Sequence, residues 1–393
     1  MKRIQIAERP NWKATAEEQG FKFHTMYGEP YWDETSCYAF TLPQIENDIE
    51  DPATELHAMV REATNRIVND ERLISKFGIP QQHWDLVRRS WEAGEPELYG
   101  RFDFIYDGKS PAKMIEYNAD TPTSLYEASA WQWQWLEEAR EQGIIPENAD
   151  QLNSIFEALV ARFKEIFRNG ENVHFSAIKD AYEDYATVEM MAYAAREAGL
   201  GAHYVDIEDI GLTTEGQFAD QESRVIGNLF ALYPQEDMLR EEFAANIETA
   251  QCRFIEPFWK SVVSNKAILP VLWEMYPEHP NLLPSFFEDE LASNKSLAGN
   301  TLDNGHVTKP IFSREGNSIS IVLPNGEGED SAENDYAEHP NIVQAYAPMP
   351  VFDGMHPVLG VWVVGETACG LGVREDASKI TQDLSRFKGH III

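Results

Sequence analysis

Tyr-Gly-Arg-Phe-Asp-Phe-Ile-Tyr at 99–106 and Lys-Met-Ile-Glu-Tyr-Asn-Ala-Asp at 113–120 are two segments in which polar and apolar side chains alternate. Such alternation is typical of strands with one polar and one buried face. Between them, Asp-Gly-Lys-Ser-Pro at 107–111 has the composition of a turn, so the segments are predicted to pair as a β-hairpin. Its polar face carries Arg101, Asp103, Glu116 and Asn118. Its core face carries Phe102, Phe104, Tyr106, Ile115 and Tyr117.

The register of this hairpin decides what the polar face can do. If the turn is centred at 109–110, Asp103 lies opposite Glu116. Arg101 then lies opposite Asn118, and directly opposed residues have Cβ atoms about 5 Å apart. Carboxylate and amide oxygens, together with substrate phosphates, are ligands that Mg²⁺ prefers. The hairpin therefore predicts a magnesium–nucleotide site. The alternative is a solvated sheet face on which the arginine forms surface ion pairs, which contribute little.

Composition excludes several other classes of protein. The 393-residue chain has a formal net charge of −34 and no cluster of Lys and Arg that could neutralise nucleic-acid phosphates. Its cysteines, Cys37, Cys252 and Cys369, are widely spaced and indicate neither a disulfide framework nor a zinc site. The N-terminal segment lacks a signal-peptide pattern, and no apolar run approaches the roughly 20 residues that cross a bilayer. We therefore expect a cytoplasmic protein without nucleic-acid or membrane partners.

Hydrophobic periodicity divides the chain into three approximate sub-regions. The first, 1–150, has an amphipathic helical pattern over 51–70 and a second helical stretch from about Gln81, and it contains the hairpin. The second, 151–240, reads strand, helix, strand and hairpin, which predicts a small α/β substructure. Its predicted elements are a strand at 173–178, a helix at 182–198 and a strand at 203–207.

The third sub-region, 241–393, is predicted to be rich in strands after a helical passage at 240–250. An acidic stretch at 325–338 is predicted to be a mobile loop. The whole chain is thus expected to have an α+β fold. The predicted strands of this sub-region are 306–311, 318–323, 342–346 and 358–364.

A nucleotide site also needs cations for the phosphates. No G-x-x-x-x-G-K-[ST] loop is present to provide them. Lys266 in Ser-Asn-Lys-Ala-Ile-Leu-Pro and Lys309 in His-Val-Thr-Lys-Pro-Ile are candidates, although each could be an ordinary surface lysine. The loop at 313–318 contains Gly316, and a glycine lets backbone N–H groups approach phosphate oxygens.

Five motifs occur in order along the chain: Arg-Phe-Asp at 101–103, Glu-Tyr-Asn-Ala-Asp-Thr-Pro at 116–122, Ser-Asn-Lys-Ala-Ile-Leu-Pro at 264–270, Lys-Pro-Ile at 309–311 before the glycine loop, and Gly-Val-Arg-Glu-Asp at 372–376. With this combination the chain resembles the synthetase domain of glutathionylspermidine synthases over nearly its whole length. It is most similar to stand-alone bacterial relatives described as acid–amine ligases, which lack the amidase domain. The resemblance implies an ATP-grasp-like fold with a pre-ATP-grasp-type α/β substructure.

The resemblance also implies an activity and its residues. ATP and two Mg²⁺ ions would be the cofactors; ATP would phosphorylate a carboxylate, and an amine would attack the acyl phosphate. Asp103, Glu116 and Asn118 would bind magnesium, whereas Arg101 and Arg374 would be catalytic through stabilising the phosphoryl charge. The residues implied to contact the nucleotide are Arg101, Phe102, Asp103, Lys266, Lys309, Gly316, Gln344, Ala345, Tyr346, Ala347, Lys379, Ile380 and Thr381.

Substrate contacts are implied at fewer positions. Thr121 would contact the acid, and Glu183 with Asp184 would hold the amine by charge-assisted hydrogen bonds. The alternative for this acidic pair is a favourable interaction with a helix N-terminus. The negative net charge fits attraction of a polyamine, but the simpler interpretation is that it keeps the protein soluble. The loop at 313–318 lacks the initial glycine expected in this family. This difference argues against closure of the loop but not against nucleotide binding.

Two functional hypotheses follow. The first is an ATP- and Mg-dependent carbon–nitrogen ligase that joins a small-molecule acid to an amine, with glutathione or a similar peptide and a polyamine as the expected pair. The second is an ATP-binding protein without ligase turnover that serves a regulatory or partner-binding role. A purely structural protein does not explain why four polar residues fall on matching strand faces. The sequence identifies neither the acid, the amine nor the oligomeric state.

Overall fold

The computed structural model describes residues 1–382 and 384–393 and has a mixed α/β architecture. Three larger sheets and their covering helices account for most of it. The α-helices are Trp12–Glu18, Leu42–Ile45, Asp51–Val68, Glu71–Ile74, Trp84–Glu92, Gln132–Glu141, Ile155–Ile166, Tyr182–Glu197, Gln235–Met238, Lys260–Val263, Ile268–Met275 and Glu288–Ser293. The π-helical segments are Glu46–Glu50 and Glu127–Trp131. The 3₁₀ turns are Lys22–His24, Ser75–Phe77, Gln81–His83, Ile207–Asp209 and Glu242–Asn246.

The central sheet contains the predicted hairpin. Its five antiparallel strands lie in the order Arg386–Lys388, Thr367–Asp376, His356–Val364, Tyr99–Ile105 and Lys113–Asn118. The sheet thus combines strands from the first and third predicted sub-regions, and the division into sub-regions stays a prediction. Helix Asp51–Val68 packs on this sheet with the apolar stripe that its periodicity predicts, including the buried Leu56, Val60, Ala63 and Ile67.

The strands of two further sheets lie, along the chain, between the hairpin and the C-terminal strands of the central sheet. The parallel sheet has the order Arg253–Ile255, Asn228–Leu232, Asn172–Ala177 and Gly201–Asp206, and it contains the predicted α/β substructure with helix Tyr182–Glu197. The C-terminal sheet is antiparallel, in the order Ser285–Phe287, Asn341–Ala345, His306–Pro310, Ser320–Val322 and Gly328–Asp330. Smaller pairings are Lys2–Gln5, Ser36–Phe40 and His390–Ile392; Thr25–Met26 with Glu29–Pro30; and Gly211–Leu212 with Phe218–Ala219.

Two sequence predictions of secondary structure are wrong in detail. The passage at 240–250 contains a short 3₁₀ turn, Glu242–Asn246, whose buried residue is Ala244. The acidic stretch at 325–338 includes strand Gly328–Asp330, which pairs with Ser320–Val322. The Asn-Gly dipeptide at 325–326 is the hairpin signal that the acidic composition obscured.

The described residues contain no helix that is both long and apolar enough to cross a membrane. The core consists of two clusters on either side of the central sheet. One includes the hairpin residues Phe102, Phe104 and Tyr117, and the other is rich in aromatic side chains such as Trp131 and Trp362. Burial of these faces leaves the polar hairpin face directed at a cavity.

Candidate active site

A cavity of about 350 Å³ lies between the polar face of the hairpin, the C-terminal sheet and the loops that precede helices Gln235–Met238 and Tyr182–Glu197. Most of the residues singled out from the sequence line it. These are Arg101, Asp103, Glu116, Asn118, Thr121, Asp184, Lys266, Lys309, Gly316, Gln344, Ala345, Tyr346, Ala347, Arg374, Lys379, Ile380 and Thr381. Two do not line it: Phe102 has its side chain in the core, stacked on Tyr117, and Glu183 is half-buried beside Asp184 and contacts Ser124.

The predicted hairpin register is confirmed in the part that forms the site. Asp103 pairs with Glu116, and Arg101 pairs with Asn118. All four side chains line the cavity. Alternation of polar and apolar residues, together with the position of the predicted turn, therefore predicted which polar groups meet.

A β-bulge follows these pairs. Phe104 pairs with Met114, which leaves Ile115 without a partner in the ladder. The prediction that Ile115 faces the core is wrong, because the bulge turns this residue toward the cavity. The Ile115 carbonyl accepts a hydrogen bond from Lys309 Nζ at 2.9 Å. Bulges commonly re-aim groups beside active sites in this way.

Arg101 is buried and forms a bidentate pair with Asp103. Its Nε donates to Oδ1 at 2.7 Å and its Nη2 donates to Oδ2 at 3.1 Å. Nη1 donates to the Thr123 carbonyl at 2.9 Å. Gly360 on the neighbouring strand makes room for this side chain, since a Cβ there would lie 2.8 Å from Arg101 Cδ. Because Arg101 is only 8% exposed and Asp103 only 3%, the alternative of a solvated surface ion pair does not hold.

Asn118 connects the two carboxylates. Its Nδ2 donates to Asp103 Oδ2 at 3.2 Å and to Glu116 Oε1 at 3.0 Å. The other Glu116 oxygen lies 3.3 Å from Lys266 Nζ, which also donates to the Ser313 carbonyl at 2.7 Å. The hairpin is thus joined electrostatically to the lysine of the Ser-Asn-Lys motif.

Burial and charge shift the pKa values of these groups. Burial raises the pKa of Asp103 even though Arg101 opposes the rise. Burial acts in the same direction on Glu116, but Lys266, Lys309 and the Asn118 hydrogen bond outweigh it and hold the pKa of Glu116 below its usual range. Burial lowers the pKa of Lys309 to about 8, although Glu116 opposes this change. An ionised carboxylate therefore lies beside two lysines.

The donor set on the hairpin fits Mg²⁺. No group of three His, Cys, Asp or Glu within the described part of the chain could hold a metal ion, so a cation here needs the Asn118 amide and substrate phosphates as well. A carboxylate offers about four lone-pair directions, and Asp103 accepts three hydrogen bonds. A half-turn of the Asn118 amide would present its oxygen. Two carboxylates and one amide suit a cation that retains water and phosphate ligands.

Gln344 is the residue of the predicted adenine pocket with the most informative contacts. Its Oε1 accepts a hydrogen bond from Lys309 Nζ at 2.9 Å, while its buried Nε2 has no hydrogen-bond partner among the described residues. Lys379, by contrast, pairs with Glu329 at 3.4 Å. Lys266 and Lys309 define what we call the cationic end of the cavity.

The glycine loop covers this end. Gly316 has φ +71°, and a Cβ there would lie 2.3 Å from the Thr381 carbonyl oxygen and 2.6 Å from Ile380 Cγ2. Only glycine fits both the backbone conformation and the close contact. The loop therefore packs directly on the segment that was predicted to touch the nucleotide.

Arg314 ties the same loop to two other walls of the cavity. Its guanidinium pairs with Glu236 and donates to Thr121 Oγ1 at 3.4 Å. Asp120 Oδ2 lies 3.9 Å from Arg314 Nη2. Sequence reasoning missed Arg314, although its charge within a singled-out loop was a usable signal.

Asp120 is a second residue that sequence reasoning missed. It is buried and accepts hydrogen bonds from the Ser264 hydroxyl, from Thr121 N at 2.8 Å and from Gln235 N at 3.3 Å. Ser264 precedes Lys266 by two positions. Asp120 thus fixes the segment after the hairpin relative to the cationic end, and its place in the quoted Glu-Tyr-Asn-Ala-Asp motif was the available signal.

Another part of the cavity is acidic. Asp184 lines it, and Glu183 beside it lies in the first turn of the same helix, Tyr182–Glu197. We call these two residues the acidic end. Burial, followed by the charge of Glu315, raises the pKa of Asp184 to about 6.

Arg374 also lines the cavity, and its guanidinium has no hydrogen bond or ion pair within the described residues. An unpaired guanidinium beside the hairpin is available to an anionic ligand.

Comparison with solved structures defines the fold class. Over 91% of this chain, the fold matches 89% of a glutathione synthetase-like effector from Globodera pallida, with a TM-score of 0.57 at 10% sequence identity. The architecture is therefore that of glutathione synthetase-like proteins.

The sequence match is more specific. The family described as "Glutathionylspermidine synthase preATP-grasp" matches residues 3–393, and the chain belongs to this family. The sequence-based assignment to the carbon–nitrogen ligases is confirmed at the level of the family. A "Putative acid--amine ligase" of Haemophilus influenzae is 39% identical over 100% of both chains.

Longer relatives are matched over part of their length. Trypanothione synthetase of Crithidia fasciculata is 28% identical over 84% of this chain and 52% of its own length. The bifunctional glutathionylspermidine synthetase/amidase of Escherichia coli is 29% identical over 88% of this chain and 58% of its own. The chain thus spans little more than half of these two enzymes.

Proposed function

We propose that the protein is an ATP- and Mg²⁺-dependent acid–amine ligase that forms an amide bond through an acyl phosphate. The observation that carries the proposal is one cavity in which the hairpin donors Asp103, Glu116 and Asn118 face Lys266 and Lys309. The phosphates of a nucleoside triphosphate need cations, and the divalent cation bound to them needs oxygen donors. The relatives' names support the same chemistry.

Magnesium bound at the hairpin would neutralise phosphate charge and orient the terminal phosphate. The residues of the chain then act mainly by position and charge, because phosphoryl transfer depends on both. Lys266 and Lys309 would hold the phosphates, and Gln344 with the residues up to Ala347 would line the adenine pocket. Arg101 and Arg374 flank Asp103 and would stabilise the charge of the transferring group.

The acid and the amine would bind at the other end of the cavity. Thr121 follows the hairpin and would contact the acid. The acidic end would attract the ammonium group of the amine through charge-assisted hydrogen bonds. Glutathione or a similar peptide as the acid and a polyamine as the amine are consistent with this polarity and with the names of the longer relatives.

The test is a product search by mass. The protein is incubated with Mg-ATP, glutathione and spermidine, and in parallel with pooled cell metabolites, and the reaction is searched for an amide product together with ADP. ADP release should require both the acid and the amine. Arg101→Ala should remove product formation, whereas Arg72→Ala at an exposed helix end should not. Saturable ATP binding without any amide product would instead support the nucleotide-binding alternative.

A further inference from the structure

Four side chains form a hydrogen-bonded chain that starts from Glu183 in the acidic end. Tyr31 Oη donates to Glu127 Oε1 at 2.7 Å and lies 3.2 Å from Ser124 Oγ. Ser124 Oγ donates to Glu183 Oε1 at 3.4 Å. Two carboxylates are thus joined through two hydroxyl groups, an arrangement that we call the carboxylate–hydroxyl chain.

Glu127 occupies a costly position for a carboxylate. It is 1% exposed, and its Oε2 is buried without a hydrogen-bond partner among the described residues. Burial and then the nearby Glu183 raise the pKa of Glu127 to about 8, while the Tyr31 hydrogen bond and Arg374 oppose the rise. Burying an unsatisfied polar oxygen destabilises the native state. Such a group therefore calls for a functional explanation.

The backbone around the chain is also unusual. Ser124 has φ 68°, in the left-handed region that non-glycine residues rarely adopt. Glu127 begins the π-helical segment Glu127–Trp131. Both features cost energy and are concentrated at functional sites. They place the Ser124 hydroxyl between Tyr31 and Glu183.

Ser124 also lies beside residues of the proposed phosphoryl-transfer site. Together with Arg101, Asp103 and Arg374 it lines a second cavity of about 10 Å³, which is close to the size of one water molecule. The carboxylate–hydroxyl chain therefore extends from a buried carboxylate to the wall shared with the proposed phosphoryl-transfer site.

We propose that Glu127, acting through Tyr31 and Ser124, accepts the proton that the attacking amine loses. The inference rests on the proposed function, because amide formation from an ammonium group requires removal of protons. The ammonium transfers one proton to Glu183, and its nitrogen lone pair forms the C–N bond as the C–O bond to phosphate breaks. The second proton on that nitrogen leaves with the phosphate.

The proton moves along the chain without charging a hydroxyl. Ser124 Oγ accepts it from Glu183 while its own hydrogen passes to Tyr31 Oη. The Tyr31 hydrogen passes in turn to Glu127 Oε1. Glu127 ends neutral, so the repulsion between the two carboxylates is removed at the moment when the amine must be deprotonated. A proton acceptor works best when its pKa lies near the working pH.

The test compares two nucleophiles with one acid. Amide formation with spermidine and hydroxamate formation with hydroxylamine are measured for glutathione and Mg-ATP between pH 6.5 and 9. Spermidine must lose a proton before it attacks, whereas hydroxylamine is neutral in this range and needs no such acceptor. The variants are Glu127→Gln and Tyr31→Phe. Tyr106→Phe is the matched control, because Tyr106 is a buried tyrosine whose hydroxyl donates to a carboxylate, Asp48, outside the cavity.

Both variants should lower kcat with spermidine about 100-fold, within the range for acid–base catalysis, and change the hydroxamate rate less than threefold. The rise of the wild-type kcat with pH through about 8 should be absent in Glu127→Gln. Equal losses with both nucleophiles, or unchanged kcat with spermidine, would overturn the inference. If Glu127→Gln fails to fold, Tyr31→Phe decides. A wild-type protein that makes neither product would count against the proposed function itself.

Discussion

The cationic end and the acidic end of the cavity differ in the groups that contact their charged side chains. At the cationic end, each lysine has direct polar contacts: Lys266 lies 3.3 Å from Glu116, and Lys309 donates hydrogen bonds to two uncharged carbonyl oxygens. At the acidic end, Glu183 is joined to a second carboxylate, Glu127, through the hydroxyl groups of Ser124 and Tyr31. The first end is prepared for a charged ligand that stays fixed. The second has an excess of proton acceptors, which suits a ligand that must lose protons.

The largest effect is expected from removing the hairpin carboxylates. Asp103→Asn and Glu116→Gln should abolish metal-dependent nucleotide binding, because a hard cation prefers charged oxygen ligands. Calorimetric titration with ATP in magnesium and in excess chelator measures this dependence. Asp107→Asn, at the exposed hairpin turn, is the control. Unchanged ATP affinity in magnesium would refute the assignment of these residues as ligands.

Arg101→Ala should leave ATP affinity nearly unchanged and lower kcat about 10³-fold or more, as for a cation that acts on the transition state. Steady-state kinetics and nucleotide titration separate the two quantities. Because the variant leaves Asp103 buried without its partner, thermal denaturation must establish that the protein is folded at the assay temperature. A loss confined to affinity would contradict the catalytic role.

Glu127→Gln should change how stability depends on pH. The pKa of about 8 in the native state lies above that of glutamate in an unfolded chain, so the native protein retains a proton that the unfolded chain loses. The stabilisation is complete at low pH and is lost as pH rises toward 8, by at most ~1.4 kcal/mol per pH unit. The uncharged variant lacks this loss.

Denaturation midpoints of the wild type and of Glu127→Gln, measured from about pH 5 to 8.5, test this expectation. The variant should gain relative stability as pH rises. Glu137→Gln, an exposed position on helix Gln132–Glu141, is the control and should follow the wild type. Parallel curves for wild type and Glu127→Gln would show that Glu127 is ionised throughout this range.

The smallest effect is expected at Asp184, which is half-buried. Asp184→Asn should raise KM for the amine about fivefold at pH 7.5, since a partly screened ion pair contributes about 1 kcal/mol. In the wild type this contribution should fade as pH drops through about 6, the pKa of Asp184. Amine KM measured from pH 5 to 8 should therefore vary in the wild type and stay flat in the variant. A pH-independent difference would mean that Asp184 acts without its charge.

The sequence predicted which residues line the site better than it predicted the long-range contacts between them. Alternation identified the polar face of the hairpin and the turn position gave its register, because period-two burial and turn composition are both local properties. The bulge at Ile115 escaped prediction, since one unpaired residue leaves the polar pattern of the neighbouring pairs intact. Arg314 and Asp120 bring together segments far apart in the chain, and no local pattern records such contacts. Tyr31 and Glu127 escaped for the same reason.

The roles assigned by resemblance fared unevenly in position. Seventeen of the residues singled out line one cavity, whereas Phe102 offers only its backbone because its ring belongs to the core. Glu183 contacts Ser124 and is not among the residues that line the cavity. A motif match transfers residue identity, but the face on which a residue lies depends on the strand that carries it.

Gly360 has a consequence for natural variation in this chain. It lies on strand His356–Val364, distant in sequence from the hairpin, yet its missing Cβ is the space that the Arg101 side chain occupies. An alanine at this one site would displace the side chain of Arg101, the proposed catalytic group, while leaving every motif intact. We therefore predict that a homologue with all the signature residues but without this glycine is a pseudoenzyme.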